Sequence, residues 1–311
     1  MAFLLASIGC SPPGPRTIAS TQPDASLVTA DLGHVYWVTS QAGSSSLMVA
    51  HADDDRPATR VSTLPGTVDA IAVDEGLVYL AVSGASPQAV SVIRKVSHKR
   101  STPPKDLVQS RARITSMAFD ATHLYFTQAG PGVPGDDASS PGVLRVMRTG
   151  GTPFNVVMGQ PGEPRNIALG AAHVYWVNAE PGRQSSIMSA RKAGGAPILL
   201  ATVPETDTGS VPGLAADDAG VYYKTRTAVL RIPADGGKAV QVATVPESDC
   251  HRLLMDARAL YFLSPRGPMR LPLGASASNL VANGPATDLA IADQHAYWVW
   301  NGSVMQGPKL P

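Results

Sequence analysis

The amino-acid sequence predicts an all-β protein, a seven-bladed β-propeller with four-stranded blades. Three observations predict it. A tyrosine-centred unit recurs seven times, the composition favours short strands joined by tight turns, and the last unit lacks a strand whose complement stands near the start of the chain.

The repeat carries most of the argument. An apolar strand ends in a small polar turn, and an aromatic-centred strand follows. SLVTADLGHVYWVT from Ser26, TSMAFDATHLYFTQ from Thr115 and RNIALGAAHVYWVN from Arg165 show the pattern. Its anchors are Tyr36, Tyr79, Tyr125, Tyr175, Tyr222, Tyr261 and Tyr297, seven of the eight tyrosines in the chain. Successive anchors lie roughly 36–50 residues apart, bracketing the ~40–45-residue period of propeller blades. Apolar residues alternate with a period of two and are broken by Gly and Pro, which excludes a helical repeat.

The composition agrees. Charged residues make up only 16% of the 311, while Gly and Pro number 29 and 27, too apolar for disorder and too rich in turn formers for a bundle. Formal net charge is +1 with both signs scattered, which argues against a nucleic-acid partner. The one basic run, Arg94, Lys95, His98, Lys99 and Arg100, reads as a solvated hairpin.

Each unit continues after its Tyr strand with a third strand, as at 143–148, 186–191 and 229–234. A Gly-Gly turn follows (Gly150-Gly151, Gly194-Gly195, Gly236-Gly237), then a fourth strand. Paired glycines supply the positive φ angles of a tight hairpin. The strands are lettered A to D from the axis outwards. The final unit has A, B and C and then stops, whereas residues 16–20 precede the first A strand and read as an unassigned D strand. Pairing the two closes the ring and removes an open edge.

The first residues read differently. MAFLLASIG is a short apolar run, followed by Cys10 and SPPGPR. This resembles the end of a bacterial lipoprotein signal peptide, in which the Cys after the cleavage point receives the lipid. The resemblance implies a signal peptide over 1–9, whose lack of a basic n-region is the mark of a truncated start, and a Pro-rich tether over 10–15. The propeller then occupies 16–311. The implied location is the cell envelope, with Cys10 lipidated and membrane contact only through that anchor; a secreted or periplasmic protein is the alternative.

The stretch YWVNAEPGRQSSIMSARKAGG from Tyr175 resembles the YWTD and NHL-like propellers, as does the Asp before the turn at Asp31, Asp74 and Asp120. It is also similar to bacterial envelope lipoproteins with repeated Tyr-Trp blades. The fourth motif position is Thr39, Val82, Gln128, Asn178, Thr225, Ser264 or Trp300, never the Asp of the YWTD pattern. The resemblance implies the fold and does not specify a ligand.

Catalytic and metal motifs are missing from the sequence: no GxSxG, HExxH, Walker loop or paired CxxC. His34, His123, His173 and His295 share one repeat position, so they lie on a wide circle and read as strand-entry residues rather than a metal ring. Asp53-Asp54-Asp55 reads as a solvated loop. Asp249, Cys250 and His251 are consecutive, so on a strand they point to alternate faces and make no catalytic pair; Cys250 reads as a buried free thiol.

The A–B and C–D turns are uniform, whereas the D–A and B–C loops vary, and binding usually resides in variable loops. The A-strand starts on that side, aligned on the anchor Tyr, are Ser26, Asp69, Thr115, Arg165, Pro212, His251 and Asp288. Asp69, Thr115, Arg165, His251 and Asp288 are therefore the predicted ligand-binding residues. The functional expectation is a monomeric, non-catalytic binding or scaffold propeller for an unidentified small molecule or protein, with no cofactor and no metal. The alternative is an enzyme, a lyase or hydrolase, whose site is assembled from several blades, as in propellers of the virginiamycin-lyase type.

Overall fold

The computed structural model describes residues 14–84, 90–99, 103–130, 139–180, 184–204, 211–234, 236–248 and 251–309. These residues form seven four-stranded antiparallel sheets and contain no helix long and apolar enough to cross a membrane. Six sheets run A-B-C-D in chain order. Blade 1, for example, comprises Ala25–Asp31, His34–Gln41, Ser44–His51 and Thr59–Pro65.

The seventh blade is composite. Its A, B and C strands are Asp288–Ala292, His295–Trp300 and Ser303–Pro308, and its outer strand is Arg16–Ala19. Arg16 pairs with Gln306, Thr17 with Met305 and Ala19 with Val304. The Arg16 Nε also donates to Gln306 Oε1 at 2.8 Å. The ring closes by the predicted exchange.

The core lies between the blades. Seven apolar clusters correspond to the seven joints. The aromatic pair of strand B explains how they form. Adjacent strand residues point to opposite faces, so each anchor Tyr enters the joint ahead while the next residue enters the joint behind. Tyr125 of blade 3 and Trp176 of blade 4 meet in one cluster, as do Tyr261 and Trp298, and Tyr297 and Trp37 across the closure. Each blade thus supplies a wedge to both neighbours, and none has a free apolar face.

The turn face adds a polar joint. The residue five before each anchor Tyr faces the residue just past strand C of the following blade. Lys192 binds Asp120 at 3.2 Å and Lys309 binds Asp256 at 3.0 Å, while Arg148 pairs with Asp74 and reaches Glu75 at 3.3 Å. At the joint of blades 1 and 2 the base is His98, whose Nδ1 meets the Tyr36 hydroxyl at 2.9 Å. Lys192 also lies 5.5 Å from the centre of the Tyr125 ring, and Lys309 5.7 Å from that of Tyr261. These ion pairs act as latches over the apolar wedges. Two members of the basic run are therefore not one solvated patch: Arg94 pairs with Asp106 within its blade, whereas His98 joins its blade to the previous one.

His98 has further company. The His34 ring centre is 4.4 Å from that of His98 and 4.2 Å from that of His51. Burial, then the proximity of His34, pushes His98 and His51 below the ordinary imidazole value of 6.5. The folded protein therefore binds fewer protons here than the unfolded chain. Stability contributed by His98 and His51 is complete above 6.5 and is lost as the pH falls below it. Asp120 and Asp256 are depressed below 3.8, so their contribution is lost only in more acid solution. Between pH 7 and 5 the melting temperature is expected to drop by a few degrees, at ~2–4 °C per kcal/mol. His98→Gln should flatten that slope, and an equal slope in this variant would refute the assignment.

Candidate binding face at the channel mouth

The A strands line the axis, and neighbouring A strands touch around it. Their loop-face ends are irregular in four blades. The pairing of strands A and B shifts between Ser26 and Thr29, Val68 and Ala70, Ile114 and Ser116, and Arg165 and Ala168. Each shift is a β-bulge, a device frequent at barrel and sheet rims. Leu27 and Asn166 take positive φ there, at 47° and 50°. The Asn166 side chain uses this geometry to donate to Pro212 O at 2.9 Å on blade 5.

Bulges release backbone N–H groups from the ladder, and the preceding blade supplies acceptors. Asp288 Oδ2 accepts from Val28 N at 2.8 Å, Ser91 Oγ from Ile114 N at 3.2 Å, and Ser116 Oγ from Ile167 N at 3.0 Å. Buried N–H groups demand such partners.

This accounts for much of the predicted ring. Asp288 is buried, and its other oxygen lies 3.1 Å from Arg252 Nε. The Asp69 carboxylate is 3% exposed; it accepts from Ser83 Oγ and from Arg113 Nε at 2.9 Å. Thr115 Oγ1 bonds Thr127 Oγ1 at 2.8 Å and donates to Pro164 O at 2.6 Å on the next blade. Ser26 is half-buried and Pro212 buried. Of the five candidates His251 is exposed, and Arg165, with 35% of its side chain exposed, pairs with Glu163, its Nε 3.0 Å from that carboxylate. Cys10, Asp249 and Cys250 lie outside the described residues.

Alignment on the tyrosines therefore missed Arg113 and Glu163. The bulges lengthen strand A, so its first residue lies twelve before the anchor rather than ten. Arg113, with 55% of its side chain exposed, bonds Asp69 on one side and feels the charge of Glu163 on the other; both hold it above its ordinary value. A ladder of alternating charge, Asp69–Arg113–Glu163–Arg165, thus runs over blades 2 to 4. It is neutral overall and offers donors and acceptors side by side.

The two classes of residue are separable. Asp288→Ala strands the buried Val28 N–H and unpairs Arg252, so a loss of about 2–3 kcal/mol is expected. Arg165→Ala removes one exposed pair and should change stability by less than ~1 kcal/mol. Urea midpoints measure both, and equal losses would contradict the distinction.

No family model and no curated protein matches the chain. Solved structures do. The WD40 β-propeller domain of Doa1 aligns over 96% of this chain and 97% of its own at 13% identity, TM-score 0.67. Puromycin hydrolase aligns over 91% of this chain but 51% of its own, at 14% identity and TM-score 0.65. A chain of the nidogen/laminin complex aligns over 79% of this chain and 92% of its own, at 14% identity and TM-score 0.54. These likenesses establish the propeller fold. They include binding partners and an enzyme alike, so function rests on the site.

Proposed function

We propose that this propeller is a non-catalytic binding or scaffold protein of the cell envelope, tethered through a lipid on Cys10, with its ligand or protein partner seated on the loop face. The observation that carries the reading is the charge ladder. Its four side chains neutralise one another across three blades, and Arg113 and Arg165 still present guanidinium edges to solvent. Such a surface suits a polar partner with donors and acceptors of its own. A general acid or base needs a group poised near the working pH. At this mouth Arg113 is held more firmly charged, and its carboxylate neighbours are spent on ion pairs.

Photo-crosslinking tests the face. A benzoylphenylalanine at Arg165 should give discrete adducts in cells, and one at Arg258, on the turn face, should give none. Adducts from Arg258 alone would place the partner on the opposite side. Turnover of aminoacyl-amide substrates by the purified protein, abolished in Glu163→Gln, would replace binding with catalysis. For the anchor, labelled palmitate should enter the wild type and not Cys10→Ala; equal labelling in both would end that part of the reading.

A further inference from the structure

The latches of the turn face are not uniform. Between blades 5 and 6 the acid Asp217 remains and accepts from the Tyr222 hydroxyl at 3.2 Å, but Leu273 stands at the position of the base. At two other joints both members are gone. Blade 4 has Gly170 where blades 1, 2, 3, 5 and 6 carry Asp, and blade 5, which would supply the base, has Ala234. Blade 7 has Ala292, and blade 1 answers with Ala52. Acid and base have disappeared together at both joints.

The two joints that lack both members differ in what replaces the latch. Between blades 7 and 1, Arg16 of the closing strand donates to the Ala52 carbonyl, and the remaining crevice of 200 Å³ includes Asp53 on its wall. Between blades 4 and 5 no such substitute stands among the described residues. A Cβ at position 170 would lie 3.0 Å from Asp217 O and 3.3 Å from the Tyr175 ring, so the backbone of blade 5 occupies the space of the missing Asp. Outward from this contact lies a crevice of 440 Å³, within the range of small-molecule sites.

Its walls are of two kinds. Ala190, Ala196, Leu200 and Ala234 supply apolar surface, continued by Ile198, which is 57% exposed. His173, Ser189 and Arg191 supply the polar side. Among the described residues Arg191 has no carboxylate partner and no carboxylate lines the crevice. The crevice between blades 6 and 7, by contrast, holds the completed Asp256–Lys309 pair as well as Asp293.

We propose that the joint of blades 4 and 5 is a binding site for a small amphipathic anion, a carboxylate on a short hydrocarbon body. The hydrocarbon lies against Ile198, Leu200 and Ala234, outward of the missing latch, and the carboxylate pairs with Arg191 in the bidentate geometry that guanidinium favours. This site is on the face opposite the proposed partner surface and does not depend on it.

Octanoate is the probe, followed by titration calorimetry on the full chain. Saturable binding is expected in the wild type. Arg191→Gln should weaken it about tenfold, the loss of one charge-assisted contact, while 1-octanol binds this variant and the wild type alike. Ala234→Phe should fill the crevice and weaken both probes. Lys105→Gln, in the equally large crevice of blades 2 and 3, should change nothing. Melting curves identify any variant that fails through misfolding, and Ala196→Leu, at an exposed position on the crevice wall, then serves as a second filling variant. Absence of saturable octanoate binding, unchanged affinity in Arg191→Gln and both filled variants, or loss of binding in Lys105→Gln would overturn the proposal.

Discussion

Deleting residues 1–20 should lower the melting temperature by about 10 °C or more, taking ~2–4 °C per kcal/mol for a chain of this size. The deletion removes the outer strand of blade 7, with the buried Ala19 and half-buried Ile18 that pack against Val304. It also removes Arg16, which bonds Gln306 and the Ala52 carbonyl. Strand C of blade 7 becomes an unpaired edge carrying Val304 and Met305, which are 0% and 8% exposed in the closed ring. Such edges recruit other chains, so the variant should also associate at high concentration. Removing only residues 1–12 leaves the strand in place and should be nearly neutral. An unchanged melting curve for a monomeric 1–20 deletion would show that the exchange contributes nothing to closure.

Trp176→Ala is expected to cost about 3–5 kcal/mol, the range for deleting a large aromatic from a packed core. Trp176 is fully buried in the joint of blades 3 and 4, against Tyr125, Val143, Val157 and Ile167. Its Nε1–H donates to Asn178 Oδ1 at 2.9 Å, and Asn178 Nδ2 donates to Gln160 Oε1 at 3.1 Å. Truncation empties the wedge and leaves a buried amide oxygen without its donor. Trp176→Phe keeps most of the wedge and loses only the hydrogen bond, so about 1–3 kcal/mol is expected there. Denaturant midpoints rank the two; a Phe variant as unstable as the Ala variant would make the polar chain, not the wedge, the main determinant.

The architecture was legible because it is written locally and seven times over. Tyrosine followed by an apolar residue on one strand requires two buried faces, and only stacking neighbours on both sides supplies them. The closure was legible because a missing strand and a spare one stood at opposite ends. The site was less legible for a specific reason. A bulge adds a residue or two without changing the residue types around it, so Asp69, Thr115 and Arg165 aligned as strand starts although two residues precede each in its strand. Arg113 and Glu163 were passed over in consequence. The latches were half visible: the Asp before the turn recurs in the sequence, but its partner belongs to the next blade, and no local pattern links Asp120 to Lys192. His98 was hidden for the same reason, read with its charged neighbours in sequence rather than with Tyr36 across the joint.

The composite blade also fixes an order of events during synthesis. Arg16 and Gln306, hydrogen-bonded to each other, are 290 residues apart. At the ~5–20 residues per second of ribosomal elongation, the first strand waits roughly 15–60 s for its partner to be made. Through that interval blades 1 to 6 can stack, but blade 1 has no seventh neighbour, and the side chains of Val28, Val35 and Trp37 face an unfilled joint. The nascent arc is thus most vulnerable to proteases and to association with other chains until strand Ser303–Pro308 is made, and the pairing of that strand with Arg16–Ala19 converts it at one stroke into a ring.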